Sequence, residues 1–173
     1  MIVVGVNCGG HGNTYRDPPV ELVPMESIVV KDLIPHIDAT YRTVQRPAGR
    51  ALEGGSWGGF GALHLSLKYP EIFGVVWSAA PALSLPGGSD SPWRFGELNA
   101  DAVKRNRTQI RLVCGSKDPY HRATKAFHGM LRHLHIPHSY SEVPGADHSD
   151  LDARLNDIEV IGFFSDAFKG LTD

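Results

Sequence analysis

Gly54-Gly55-Ser56-Trp57-Gly58-Gly59 is the stretch that decides how this chain is read. It spells G-x-S-x-G between a short apolar run, Ala51-Leu52, and a helix-like run from Phe60 to Lys68. A serine so flanked belongs on a tight strand-to-helix turn. The glycines let the backbone pass close to its neighbours, so the hydroxyl is held out at the end of a sheet. A serine hydroxyl alone is a poor nucleophile, and the turn matters only if a base and an acid follow it. Candidates for both follow.

Around the turn, apolar runs alternate with helical periodicity. Ile2 to Val6 is a continuous apolar run, expected to form a strand buried on both faces. Ile28, Leu33, Ile34, Ile37 and Tyr41 recur at helical spacing between Ser27 and Thr43, with Pro35 as an expected kink. Further strands are expected over residues 50–53, 73–78, 110–114 and 139–143. Helices are expected over 60–69, 100–106, 120–135 and 149–169, the last with a break near Gly162. Residues 79–98 read as a long irregular loop. The pattern predicts an α/β fold in one domain spanning the 173 residues: a mainly parallel sheet of about five strands with helices on both faces.

In such sheets reactive groups gather at the carboxyl ends of the strands. Ser56, Asp118 and His148 each follow an expected strand, so all three are expected on one rim. Ser56 is the candidate nucleophile. Asp118, in Gly115-Ser116-Lys117-Asp118-Pro119, would hold an imidazole in the right tautomer and stabilise its charged form. The plain alternative is a cap for the helix starting near Tyr120. Asp90 and Asp101 are weaker rivals, because they precede the 110–114 strand. His148, in Pro144-Gly145-Ala146-Asp147-His148-Ser149, would take the Ser56 proton and return it to the leaving group. Asp147 and Asp150 flank it and read as loop or helix-cap residues. Of nine histidines, His121, His128, His133 and His135 lie on or beside a polar helix and are expected to be solvated. The chain order Ser, Asp, His is that of α/β-hydrolases.

One oxyanion-hole donor is expected to be the N–H of Trp57, the residue after the nucleophile. The second is sought in the loop Cys8-Gly9-Gly10-His11-Gly12-Asn13, at Gly12, with a plain turn as the equal alternative. Trp93 and Phe95, in the 79–98 segment, are candidates to wall a substrate pocket. Their alternative is to pack that segment onto the domain.

Composition narrows the class. The chain is 42% hydrophobic and 21% charged, with a formal net charge of −2, which weighs against a nucleic-acid partner. Its apolar runs are too short to span a bilayer, and its start lacks the basic residues and length of a signal peptide. A cytoplasmic protein is therefore expected. Two cysteines suggest no disulfide framework, and Cys114 reads as a small core residue. A short sheet leaves an exposed edge strand, so a homo-oligomer paired through residues 1–6 is expected.

These segments resemble the esterase D / feruloyl esterase branch of the α/β-hydrolases, which includes carbohydrate esterases, S-formylglutathione hydrolases and enterochelin esterases. The likeness begins at Met1-Ile2-Val3-Val4 and runs through Lys31-Asp32-Leu33-Ile34-Pro35-His36-Ile37-Asp38-Ala39-Thr40-Tyr41-Arg42. It takes in the serine turn with Phe60-Gly61-Ala62-Leu63, then Tyr69-Pro70-Glu71-Ile72-Phe73, and closes on the Asp118 turn and Pro144-Gly145-Ala146-Asp147-His148. The resemblance implies Ser56, Asp118 and His148 as nucleophile, acid and base. It also implies hydrolysis of carboxylic esters without metal or organic cofactor.

Three departures stand out. Members of this branch begin with further strands, one ending in a His-Gly loop that supplies the second oxyanion donor. Here the Cys8–Asn13 loop substitutes, or another subunit supplies the strands, or activity is crippled. Glu53 stands where the family places a small apolar residue, and a buried carboxylate needs a partner such as Lys117 or an altered pKa. Gly55 replaces a bulkier residue, which loosens or enlarges the site. The expected function is a serine carboxylesterase acting on small soluble esters, short-chain or aryl. A serine peptidase or acyltransferase on the same fold, or a truncated non-catalytic domain kept for binding or assembly, are the alternatives.

Overall fold

Four strands stand side by side in the order in which they occur in the chain: β1 (Ala51–Gly55), β2 (Val75–Ala79), β3 (Gln109–Gly115) and β4 (Ser139–Val143). All neighbours are parallel. The computed structural model describes residues 1–7, 15–17, 23–85, 87–151 and 157–171. Each strand is joined to the next by a segment containing helix: α3 (Trp57–Lys68), then α4 (Pro92–Leu98) and α5 (Ala100–Arg105), then α6 (His121–His133). α7 (Asp157–Ala167) follows β4.

Alternation along the strands builds two cores. Val76, Ile110 and Leu112 face α3, α5 and α6 and pack with Leu63, Leu67, Val103, Phe127 and Leu131. Val75, Trp77 and Val113 face the other way, onto Phe164 of α7. Every residue of β2 is buried, as expected for a strand covered on both sides. Burying one such apolar side chain stabilises by about 1.5–3 kcal/mol, so these layers dominate the fold's favourable energy.

The register places the reactive rim. Gly55, Ala79 and Val113 are aligned across the first three strands, and Gly115 is aligned with Val143. The turns leaving β1, β3 and β4 therefore rise from one end of the sheet.

Several expectations need correction. Ile2 to Val6 form no strand, so the sheet has four strands among the described residues and β1 lies at its edge. Val6 packs against the cluster of Val29, Leu65 and Phe73, whereas residues 1–5 are exposed. The helix expected over residues 27–43 runs from α1 (Met25–Ser27) to α2 (Ile34–Thr40). Between them Ile28–Leu33 is π-helical. The widened turn lies just ahead of Pro35, which has no N–H to give to the carbonyl four residues back. The 79–98 segment contains α4, with Ser91 as its cap and Pro92 at its first turn. α7 passes through Gly162 unbroken. Glu53 is exposed, so the penalty expected for a buried carboxylate does not arise. Among the described residues no helix is long and apolar enough to cross a membrane.

Candidate active site

Ser56 lies between β1 and α3 with φ 55° and ψ −118°, in a backbone region that side-chain-bearing residues rarely adopt. The turn is held by its own backbone. Ser56 N–H donates to Ala79 O at 2.9 Å, and Ser56 O accepts from Phe60 at 3.0 Å and Ala82 at 2.9 Å. A Cβ on Gly54 would overlap the backbone of Gly58. A Cβ on Gly59 would lie 2.9 Å from Ala79 O. Gly58 differs, because a Cβ there would meet nothing within 4 Å. The motif's first glycine is thus a steric requirement of the turn, while its second is not.

Two further loops converge on Ser56. The turn after β3 and the turn after β4 are joined by Ser116 N–H to Val143 O at 3.0 Å, Lys117 N–H to Ala146 O at 2.9 Å, and Gly145 N–H to Ser116 Oγ at 2.8 Å. A Cβ on Gly115 would overlap the Ala146 carbonyl, which explains the glycine. This pairing brings Asp118 to His148. Asp118 Oδ2 accepts from His148 Nδ1 at 2.7 Å, and His148 Nε2 faces Ser56 Oγ at 2.9 Å.

The Asp118 side chain is fully buried, whereas that of His148 is 36% exposed. Asp118 Oδ1 accepts from the N–H of Tyr120 at 2.7 Å, so the helix-entry role and the contact with His148 coexist in one carboxylate. The Tyr120 ring stands edge-on to His148, with centroids 5.3 Å apart. With Nδ1–H given to Asp118, Nε2 keeps a lone pair for the serine hydroxyl. That tautomer is the one able to accept a proton from Ser56.

The rival acids are engaged elsewhere. Asp147 Oδ1 accepts from the N–H groups of Ser149 and Asp150, and Asp150 Oδ1 accepts from Asp147 N–H. Both shape the histidine loop. Asp90 pairs with Lys68 at 3.2 Å, and Asp101 pairs with Lys104 at 3.0 Å.

Trp57 opens α3, where an N–H has no carbonyl partner within the helix and sits at the positive end of its dipole. Trp57 is 49% exposed, and its ring meets Phe60 edge-on at 6.2 Å. Gly12, with the rest of the Cys8–Asn13 loop, lies outside the described residues. Trp93 and Phe95 follow the alternative reading, in which they pack their segment onto the domain. Trp93 meets Phe127 edge-on at 5.0 Å and Phe95 meets His64 edge-on at 5.4 Å, both partly buried and packed against the main core. Cys114 is buried as expected, and burial pushes its thiol up to about 11.

The model of a family described as putative esterase matches residues 2–148. The chain belongs to that family. An esterase of Mycobacterium tuberculosis (strain CDC 1551) is 30% identical, with 83% of this chain and 41% of that protein covered. The chain thus spans about two fifths of the length of this relative. A solved ferulic acid esterase superposes with a TM-score of 0.76 at 19% identity, covering 94% of this chain and 67% of that one. The enterobactin esterase of Shigella flexneri superposes at 0.63 with 25% identity, covering 84% of this chain and 38% of that one. The fold is that of the α/β-hydrolase esterases.

Sequence reasoning missed one buried polar group behind the nucleophile helix. Glu26 is 4% exposed and receives His64 Nε2 at 2.9 Å, Lys68 Nζ at 2.8 Å and the Tyr69 hydroxyl. His64 and Lys68 lie four residues apart on one face of α3, and Tyr69 is the residue that caps its end. The spacing is visible in sequence, but the carboxylate it surrounds is 38 residues away from His64.

Proposed function

We propose that this chain is a serine carboxylesterase whose catalytic residues are Ser56, His148 and Asp118. The observation that carries the reading is the continuous relay Ser56 Oγ, His148 Nε2, His148 Nδ1, Asp118 Oδ2, with steps of 2.9 and 2.7 Å. His148 removes the hydroxyl proton as Ser56 Oγ attacks the ester carbonyl carbon. The carbonyl oxygen takes the electron pair, and the Trp57 N–H stabilises it. The intermediate collapses, the alcohol departs with the proton from His148, and Ser56 keeps the acyl group. Water, deprotonated by the same imidazole, then releases the acid. Asp118 holds the tautomer and offsets the imidazolium charge throughout.

Small soluble esters are the proposed substrates. Trp57 favours an aryl ester over a purely aliphatic one, because this half-exposed residue next to the nucleophile in the chain carries an aromatic face. The enterobactin esterase of similar fold was solved in the presence of 2,3-dihydroxy-N-benzoylserine, a compound that carries an aromatic ring. The deciding experiment pairs fluorophosphonate labelling with hydrolysis of a p-nitrophenyl ester. Ser56→Ala is expected to lose both while keeping its unfolding transition. Turnover retained by that variant would refute the assignment.

Self-association through the β1 edge belongs to the same proposal. β1 has one described neighbour, and beside it Met1 and Val3 are 78% and 81% exposed. An edge strand next to apolar side chains is a site for pairing with a second copy. Sedimentation is expected to give a dimer or higher species. A monomer at every concentration would remove this part of the proposal.

A further inference from the structure

A second cluster of ring nitrogens lies between α6 and β4, and its His128 and His138 sit towards the amino end of the sheet, away from the reactive rim. α6 carries His121, Lys125 and His128 along one stripe, at steps of four and three. Opposite them, Tyr140 and Glu142 share a face of the edge strand, and His138, two residues before Tyr140, immediately precedes it. The two rows meet. His121 Nε2 and Lys125 Nζ lie 3.1 and 3.2 Å from the Glu142 carboxylate, whose Oε1 also accepts from the Tyr140 hydroxyl at 2.9 Å. His128 stacks on Tyr140 with centroids 4.6 Å apart, and its Nδ1 meets His138 Nε2 at 2.8 Å. The expectation that His121 and His128 are merely solvated is corrected here, whereas His133 and His135 are exposed.

The far nitrogen of His138 fixes the chemistry of this pair. His138 Nδ1 lies 2.7 Å from the Ile136 carbonyl, which can only accept, so Nδ1 carries the hydrogen. Nε2 is then left with a lone pair aimed at His128. A histidine with one nitrogen tied to a backbone carbonyl and the other lone pair free is the usual state of a metal ligand. The stack on Tyr140 likewise limits rotation of the His128 ring. Two imidazole nitrogens about 2.0–2.1 Å from one zinc ion at near-right or tetrahedral angles lie roughly 2.9–3.4 Å apart. The observed 2.8 Å needs to open by only a few tenths of an ångström. Both side chains are partly exposed, so an ion reaches them from solvent.

We propose that His128 and His138 form a binding site for a divalent transition-metal ion of the zinc, copper or nickel class, with water completing the coordination. Imidazole suits these ions and not magnesium or calcium. Starting from the neutral pair, binding moves the His128 hydrogen from Nδ1 to Nε2 and releases no net proton. The ion joins the second half of α6 to the start of β4, at the amino end of the sheet. It therefore stabilises the β4 edge and leaves ester turnover at the other rim unchanged.

The test titrates zinc chloride into protein freed of any histidine tag, followed by calorimetry and by thermal unfolding. One saturable site and a zinc-dependent rise in Tm are expected, with no such rise for magnesium. His128→Gln and His138→Gln are each expected to weaken zinc about tenfold or more, and His133→Gln to leave it unchanged. Wild-type zinc affinity in both ligand variants, or no saturable binding at millimolar zinc, overturns the site. Where a variant fails to fold, the histidine ring nitrogen NMR signals of the wild type decide. Zinc must shift those of His128 and His138 first, and a first shift at His148 with loss of ester turnover overturns the proposal.

Discussion

Asp118 divides its carboxylate between two partners: one oxygen takes His148 Nδ1 at 2.7 Å, the other the backbone N–H of Tyr120 at 2.7 Å. The division permits a substitution, Asp118→Asn, that separates shape from chemistry. The new side chain would keep a carbonyl oxygen for Tyr120, so the loop should hold. Its amide would face His148 and donate, which forces the imidazole hydrogen onto Nε2. That nitrogen then points a hydrogen at Ser56 and cannot remove one. The variant is expected to lower kcat by about 10³–10⁴ while leaving Tm close to wild type. Steady-state kinetics on a p-nitrophenyl ester, with a melting curve, checks both halves. Undiminished turnover would mean that another group orients the base.

The two glycines of the serine motif are expected to behave differently. Gly54 has no room for a Cβ, because the Gly58 backbone occupies that space. Gly54→Ala should displace the strained serine turn, costing about 1–3 kcal/mol of stability and most of the activity. Gly58 sits within α3 with open space where a Cβ would go. Gly58→Ala should be neutral or raise stability by about 0.5–1 kcal/mol, the ordinary gain of alanine over glycine in a helix. Urea unfolding of the two variants tests the contrast, and equal destabilisation would contradict the turn geometry.

These glycines also mark how far sequence reasoning reached. Ser56, Asp118 and His148 were legible because each follows a strand in a parallel sheet, and register carries strand ends to one rim. The strands themselves were legible from short apolar runs bounded by turn residues. The same signal misled at Ile2 to Val6, where no strand forms and residues 2–5 stay exposed: an apolar run marks a candidate for burial but does not say that a neighbouring strand lies beside it. α4 was hidden among prolines and glycines, although Ser91-Pro92 is a helix-start signature. Trp93 and Phe95 went to the core because a helix there has an inner face to fill, which a loop would not. The Glu26 cluster was invisible for a different reason: a buried carboxylate becomes tolerable only when distant donors converge, and nothing local announces the convergence.

That cluster makes a pH prediction whose sign can be worked out. Burial alone would raise the pKa of Glu26, but hydrogen bonds from His64, Lys68 and Tyr69 and the Lys68 charge outweigh it and hold the carboxyl at about 2, against an ordinary 4.5. The folded state therefore binds this proton more weakly than the unfolded chain does. Glu26 contributes its stabilisation in full above about pH 4.5 and loses it as pH falls towards 2. A shift of this size corresponds to on the order of 3 kcal/mol. Glu142, held at about 2 by Tyr140, His121 and Lys125, titrates in the same window. The measurement is therefore a comparison of variants. Glu26→Gln should lower stability at pH 7 by about 3–5 kcal/mol, because it leaves Lys68 and His64 around a neutral amide. It should also flatten the slope of stability between pH 4.5 and 2, leaving only the part due to Glu142. Chemical denaturation across that range reads the slope directly. A Glu26→Gln slope as steep as wild type would mean that the buried carboxylate is not what acid attacks.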